Sequence, residues 1–183
     1  YNPTAKIAAT WYPANYVNEI PLTTMSVTTP PGRTHMFYTG TPEFAFATGL
    51  SYTRWELDCE QHEIIISLSS TTSTPSSNDN SNEIIIKLKN VGTVKGKQTA
   101  LMFWRPKNNS VRNYRQKLIG YKGTSNDIVP GEVVELKFPA VTKTHFTIHQ
   151  DGVENAMLGE YELFVTVGGS EVQELKRRVM VVA

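Results

Sequence analysis

The chain has 183 residues, 39% apolar and 19% charged, against roughly 45–50% and 25% in an average globular chain. That length corresponds to one domain with an extension or to two small domains, and it can bury an ordinary core. A formal net charge of +1 supplies neither the basic field that holds a phosphate backbone nor the acidic excess of a disordered chain, so nucleic acid is not an expected partner. The single cysteine, Cys59, cannot close a disulfide within the chain and has no clustered ligands with which to make a zinc site. No run of about 18 apolar residues is present, so no membrane partner is expected. The chain opens on Tyr1 with no initiating Met and no leader pattern, the mark of a mature product or of a piece of something longer.

Residues 1–58 carry six prolines, from Pro3 to Pro42, together with Gly32, Gly40 and Gly49. Proline removes a backbone donor and fixes φ, so no helix of useful length is expected. Lys6 to Tyr12 reads as a strand and Met36 to Tyr38 as a second, short one. The segment nevertheless holds Trp11, Tyr12, Tyr16, Phe37, Tyr38, Phe44, Phe46, Tyr52 and Trp55. An irregular chain with that many aromatics has no regular face of its own on which to bury them, so it is expected to pack on a surface that the rest of the chain supplies only in part.

Residues 59–183 read as short strands with turn signals about every ten residues, the pattern of an antiparallel β-sandwich. Glu63 to Leu68 and Glu83 to Lys89 each alternate, placing Ile64, Ile66 and Leu68, and Ile84, Ile86 and Leu88, on single faces. The two are expected to pair in the core. Between them lies Ser69 to Asn82, almost wholly Ser, Thr, Asn and Pro. Such a composition cannot offset its ordering entropy by burial, so 69–82 is expected to be a flexible surface loop, either a plain insertion or a glycosylated or recognition loop. Lys97 to Trp104, Gln116 to Lys122, Glu132 to Phe138, Thr144 to His149, Glu160 to Val167 and Val172 to Val182 complete the expected strands. In the Glu160 to Val167 strand Tyr161, Leu163, Val165 and Val167 share one face, with the Tyr161 hydroxyl expected to find a backbone partner at a strand corner.

No complete catalytic constellation stands out. His145 and His149 would share a strand face, but a metal needs a third ligand, and ordinary strand histidines are expected. Glu56, Asp58 and Glu60 alternate and would project from one side. Paired carboxylates perform glycoside hydrolysis, yet three acids at a strand end read as a solvated face. Gly49, Leu50 and Ser51 do not make a nucleophile elbow, and there is no phosphate loop. Asn108 opens an acceptor sequon between two expected strands and is a glycosylation candidate. Lys176, Arg177 and Arg178 are too few for a nucleic-acid patch and fit a half-exposed strand.

Two stretches carry a resemblance. Pro31 to Gly40 (PGRTHMFYTG) and Phe46 to Thr53 (FATGLSYT) resemble the P-G-R-T-Y-R-F-Y-T-G and F-G-x-G-L-S-Y-T segments near the C-terminal end of family 3 glycoside hydrolases. Thr10 to Pro13 and Ile20 to Met25 are similar to the β-xylosidase branch of that family. Asn90 with Gly92 and Gly96, Gln116 to Tyr121, Pro130 to Glu132 and Gly159 to Val165 resemble its closing fibronectin type III-like domain. Here His35 and Met36 replace Y-R, and Ala47 replaces the first glycine of F-G-x-G, where a positive φ is costly for a residue with a Cβ.

The resemblance implies a fold of two parts: residues 1–58 as the tail of an α/β sandwich domain with an interdomain segment, and residues 59–183 as a fibronectin type III-like β-sandwich. It implies that both catalytic carboxylates lie in upstream domains, which would be this chain's partners, with carbohydrate met through the parent enzyme. No cofactor or metal is expected, and the compartment would be extracellular. Arg33, Phe37, Tyr38, Gly49, Tyr52 and Tyr161 are the expected structural or interdomain residues. Arg33 in particular is expected to anchor its loop through its planar fork, with sugar binding by Arg33, Phe37 and Tyr38 as the alternative. The competing reading of the whole chain is a free-standing Ig-like carbohydrate-binding or adhesion module.

Overall fold

The computed structural model describes residues 2–59, 63–67, 83–107, 114–150, 153–168 and 174–182. The strands in chain order are β1 (Trp55–Asp58), β2 (Glu63–Ser67), β3 (Ile84–Asn90), β4 (Thr99–Pro106) and β5 (Lys117–Gly123). They continue with β6 (Val133–Phe138), β7 (Thr147–Gln150), β8 (Val153–Ala156), β9 (Gly159–Thr166) and β10 (Glu174–Val182). A three-stranded sheet runs β1-β3-β6 and a five-stranded sheet β2-β10-β9-β4-β5, with β7 and β8 as a hairpin. Pairings are antiparallel throughout except that β2 runs parallel to β10.

The two sheets enclose one core. Ile84, Ile86 and Leu88 of β3 and Leu136 and Phe138 of β6 face Met102 and Trp104 of β4, Tyr161, Leu163 and Val165 of β9, and Val179 and Val181 of β10, all buried. Period-two alternation accounts for β3 and β6, which each bury one face. β4 is different: from Ala100 to Trp104 every residue is buried. A strand that is apolar at every position must be covered on both faces, and the cover on the outer side of β4 comes from residues 31–48.

Several expectations are corrected. Glu63–Ser67 and Ile84–Asn90 are not partners but lie in different sheets, β2 beside β10 and β3 between β1 and β6. Alternation sets which face a strand buries and leaves its neighbour open. Met36 to Tyr38 is no strand: Thr34–Phe37 forms a single helical turn, α1, closed by the Tyr38 N–H donating to the Thr34 carbonyl. Thr144 to His149 divides into a 3-10 turn at Lys143–Phe146 and the strand β7. Lys6 to Tyr12 is no regular strand: it lies beside 43–48 and is joined to it at two separate places, Ile7 with Ala47 and Thr48, and Trp11 with Glu43 and Phe44. Between the two contacts the partner runs through a turn in which Ala47 has φ 70° and the Thr48 N–H donates to the Ala45 carbonyl, so no continuous ladder forms. Trp55–Asp58 pairs with β3 and Trp55 lies in the core, so the sandwich takes in residues ahead of position 59. The expected loop 69–82 lies outside the described residues, and among those described no helix is long and apolar enough to cross a membrane.

Candidate functional site

Residues 31–48 form a strap across the outer face of the five-stranded sheet. The strap begins with a reversal at Gly32, φ 86°, where an added Cβ would stand 2.2 Å from the Phe37 carbonyl oxygen; only glycine fits there. Thr34 follows at φ 61°. Two tyrosines hold the turn: the Tyr16 hydroxyl donates to the Gly32 carbonyl at 2.8 Å, and the Tyr12 hydroxyl accepts from the Thr34 N–H at 2.6 Å. Their rings stack at 4.0 Å and meet Tyr38 edge-on, making with Ile20 a small second core. Burial pushes the Tyr16 and Tyr38 hydroxyls up from the usual phenol range. Arg33 donates through Nη2 to the Pro21 carbonyl at 3.0 Å, while its Nε is enclosed without a partner.

The strap is fastened to the sandwich by Arg115. Its Nη1 donates to the carbonyls of Tyr38 (2.8 Å) and Gly40 (3.0 Å), and its backbone N–H donates to the Met36 carbonyl at 2.7 Å. Phe37 rests against Tyr114, ring centroids 4.9 Å apart. His35 stacks on Phe46 at 4.1 Å, and both meet Phe103 edge-on, which stacks in turn on Phe164 at 5.2 Å. The Arg105 guanidinium lies 4.3 Å from the Phe164 centroid and donates through Nε to Glu162 at 2.9 Å. Half-buried among these rings, His35 has its pKa lowered by desolvation, which favours the neutral imidazole.

Between strap and sheet is a cleft of about 200 Å³. His35, Phe46 and Thr48 of the strap line it together with Arg105, Arg115 and Gln116 of the sandwich. Thr10 also lines it, and the Thr10 hydroxyl is enclosed without a hydrogen-bond partner. None of the lining residues is an Asp or Glu, so the cleft has no acid and nucleophile pair.

The structure brings Arg33, Phe37 and Tyr38 into the strap, with Tyr38 buried. Gly49 is buried where a Cβ would meet the Ala5 carbonyl oxygen at 2.7 Å. Tyr52 offers its backbone N–H to the Asn2 side chain but leaves its ring 70% exposed. Tyr161 sits far from the strap at the centre of the sandwich, fully buried, its hydroxyl donating to the Met157 carbonyl at 2.8 Å; burial pushes its pKa up to about 12. Glu56 and Asp58 are exposed on β1, while Glu60 and Asn108 lie outside the described residues. His145 caps its own 3-10 turn against Thr142, and among the described residues no group of three or more His, Cys, Asp or Glu is placed to hold a metal. Lys176 and Arg178 join Glu162 and Glu160 in ion pairs across the outer face of β9 and β10.

Sequence reasoning missed Arg115 and Asn2 as organising residues, and it marked Asn90 only as part of a motif with Gly92 and Gly96, without its role. Asn90, fully buried, donates to the carbonyls of Val94 and Ile128 at 2.9 Å each and accepts from the Thr53 hydroxyl at 2.6 Å. Gly92 permits that approach, since a Cβ there would stand 2.1 Å from Thr53 Oγ1. A buried Asn is costly unless its amide is paired, and no local pattern shows the distant carbonyls that pair it.

No family model matches the chain. Curated relatives do: it is 30% identical over 148 residues to β-xylosidase/α-L-arabinofuranosidase 1 of Medicago sativa subsp. varia, covering 67% of this chain and 18% of that protein. It is 28% identical over 195 residues to probable β-D-xylosidase 7 of Arabidopsis thaliana, covering 94% and 25%. With the exo-1,4-β-xylosidase xlnD of Aspergillus niger it shares 28% identity over 199 residues, covering 99% and 23%. Among solved structures, a GH3 exo-β-xylosidase (XlnD) in complex with a xylobiose aziridine activity-based probe superposes with a TM-score of 0.78 at 21% identity, over 98% of this chain and 24% of that one. The β-glucosidase DesR from Streptomyces venezuelae gives a TM-score of 0.66 at 15% identity, over 97% and 23%. The chain thus spans about a quarter or less of the length of these relatives.

Proposed function

Because this chain is related to the β-xylosidases of glycoside hydrolase family 3, we propose that it is the C-terminal accessory part of a secreted, exo-acting glycosidase that removes xylose or a similar pentose from xylan-type carbohydrate. Its role there is to stabilise the enzyme and to pack against the upstream domains that carry the acid and the nucleophile. The observation that carries this reading is coverage: relatives aligned over 94–99% of this chain use only 23–25% of their own length to do so. The remaining three quarters is where a retaining double displacement by two carboxylates would be housed. Exposed apolar residues on the N-terminal region support the packing role. Trp11 and Phe44 pair edge-on at 5.8 Å in the open, and Leu22 and Met25 are 88% and 92% exposed; apolar surface of this kind marks contact sites.

The test is hydrolysis of an aryl β-xyloside by the 183-residue chain and by the parent enzyme with and without these residues. The chain alone is expected to show no turnover. The shortened parent is expected to lose thermal stability while any enzyme that stays folded keeps its KM. Turnover by the isolated chain that Glu56→Gln or Asp58→Asn abolishes would overturn the accessory reading.

A further inference from the structure

The cleft under the strap has a composition that points to a ligand of its own. Arg105 and Arg115 both line it together with His35, and no carboxylate does. Arg105 is already answered by Glu162 just beyond the cleft. Arg115 is not: its contacts are the Tyr38 and Gly40 carbonyls through Nη1, and among the described residues no carboxylate pairs with it. A guanidinium with part of its fork unused is suited to bidentate contact with a planar carboxylate. The rest of the lining mixes apolar residues, among them Phe46, Phe103 and Phe164, with polar Thr48, Gln116 and Thr166, a surface suited to the apolar face and hydroxyl edge of a sugar ring. Gln116 and Thr48 both line it, and their side-chain amide and hydroxyl supply donors and acceptors for sugar hydroxyls. A volume of about 200 Å³ lies below the roughly 300–1,000 Å³ of pockets for drug-sized ligands, which limits the guest to one ring.

We propose that the strap–sheet cleft is a non-catalytic binding site for a single sugar carboxylate, a hexuronic acid, whose carboxylate meets Arg115 and whose hydroxyls meet Gln116 and Thr48. The site is independent of the glycosidase reading, because it is formed wholly by this chain and involves no hydrolysis.

Titration of the 183-residue chain at low ionic strength with D-glucuronate, D-xylose and inorganic phosphate, followed by chemical-shift changes, tests it. D-Glucuronate is expected to bind saturably and at least tenfold more tightly than the uncharged sugar or the bare anion, with shifts centred on the strap and on Arg115. Arg115→Lys keeps the charge and removes the fork, and is expected to weaken glucuronate at least fivefold at a temperature where the variant is folded. Since Arg115 also fastens the strap, Gln116→Leu is the second variant, with a loss of about threefold expected. Equal affinity for phosphate and glucuronate would reduce the site to a surface cation. Equal affinity for xylose and glucuronate, or affinity unmoved by both substitutions, would overturn the proposal.

Discussion

Tyr161 and Lys6 show how one side chain's burial becomes a measurable property. The Tyr161 ring contacts Trp104 and Phe146 in the core, and its hydroxyl donates to the Met157 carbonyl. Tyr161→Phe keeps the ring and leaves that carbonyl without its partner, an expected loss of about 1 kcal/mol. Tyr161→Ala removes the ring as well, with about 3–5 kcal/mol expected. Denaturant midpoints of the two variants separate the terms, and equal losses would show that the hydroxyl, not the packing, carries the energy. Lys6 donates through Nζ to the Val167 carbonyl, and burial lowers its pKa from 10.5 to about 8. The folded chain therefore gives up this proton before the unfolded chain does. Between about pH 8 and 10.5 the unfolded state binds more protons, and stability rises with pH. Chemical denaturation at pH 8, 9 and 10 is expected to show the wild type gaining on Lys6→Gln across that window; parallel curves would mean the amine is solvated.

At the scale of elements, the strap is the decisive piece. The regular strands were legible because alternation is a local property: Ile84, Ile86 and Leu88 repeat at the sheet period, and β3 buries them. The strap was not, because its form is imposed by contacts distant in sequence. Met36 and Phe37 have strand-forming neighbours and still lie in a helical turn, held by Gly32, by Thr34 and by Arg115 nearly eighty residues on. Arg115→Ala is expected to cost about 1.5–3 kcal/mol, the range for hydrogen bonds from a charged group, and to raise protease cutting within 31–48 more than within the sandwich. The strap also has a pH limit. His35 is held neutral by desolvation, with the Arg105 and Arg115 charges lining the same cleft. Because its folded pKa is depressed, the stability it contributes is present above the ordinary histidine range and lost as pH falls through the folded value. His35→Phe, which keeps the stack on Phe46, is expected to flatten the acid limb of a stability-against-pH curve. The limb does not vanish entirely, since burial lowers His145 too.

For the whole molecule, the consequence is that the two regions are joined by more than a linker. A division at 58/59 separates β1 from β3 and strips the strap from Leu101, Phe103 and Phe164, which with Ala47 form the outer apolar cluster. A fragment of residues 59–183 is expected to keep its strands but to melt below the full chain and to bind a hydrophobic dye. A melt equal to that of the full chain would show that the strap adds nothing to the sandwich.

What the sequence determined by itself was what depends on near neighbours. Alternation marked most of the strands and the faces they bury, and the paired motifs Pro31–Gly40 and Phe46–Thr53 carried the kinship that comparison over nearly the whole of this chain then showed. Lys97 to Trp104 was legible as a strand, while its burial on both faces from Ala100 to Trp104 became visible only in the structure. Only the tertiary structure decided which strand lies beside which, that β2 runs parallel to β10, and that the strap supplies the outer layer. The physical reason is range. Periodicity and turn chemistry act over a few residues, whereas the Arg115 clamp, the Asn90 network and the acid-free cleft are made by groups far apart in the chain, brought within hydrogen-bond distance only by folding.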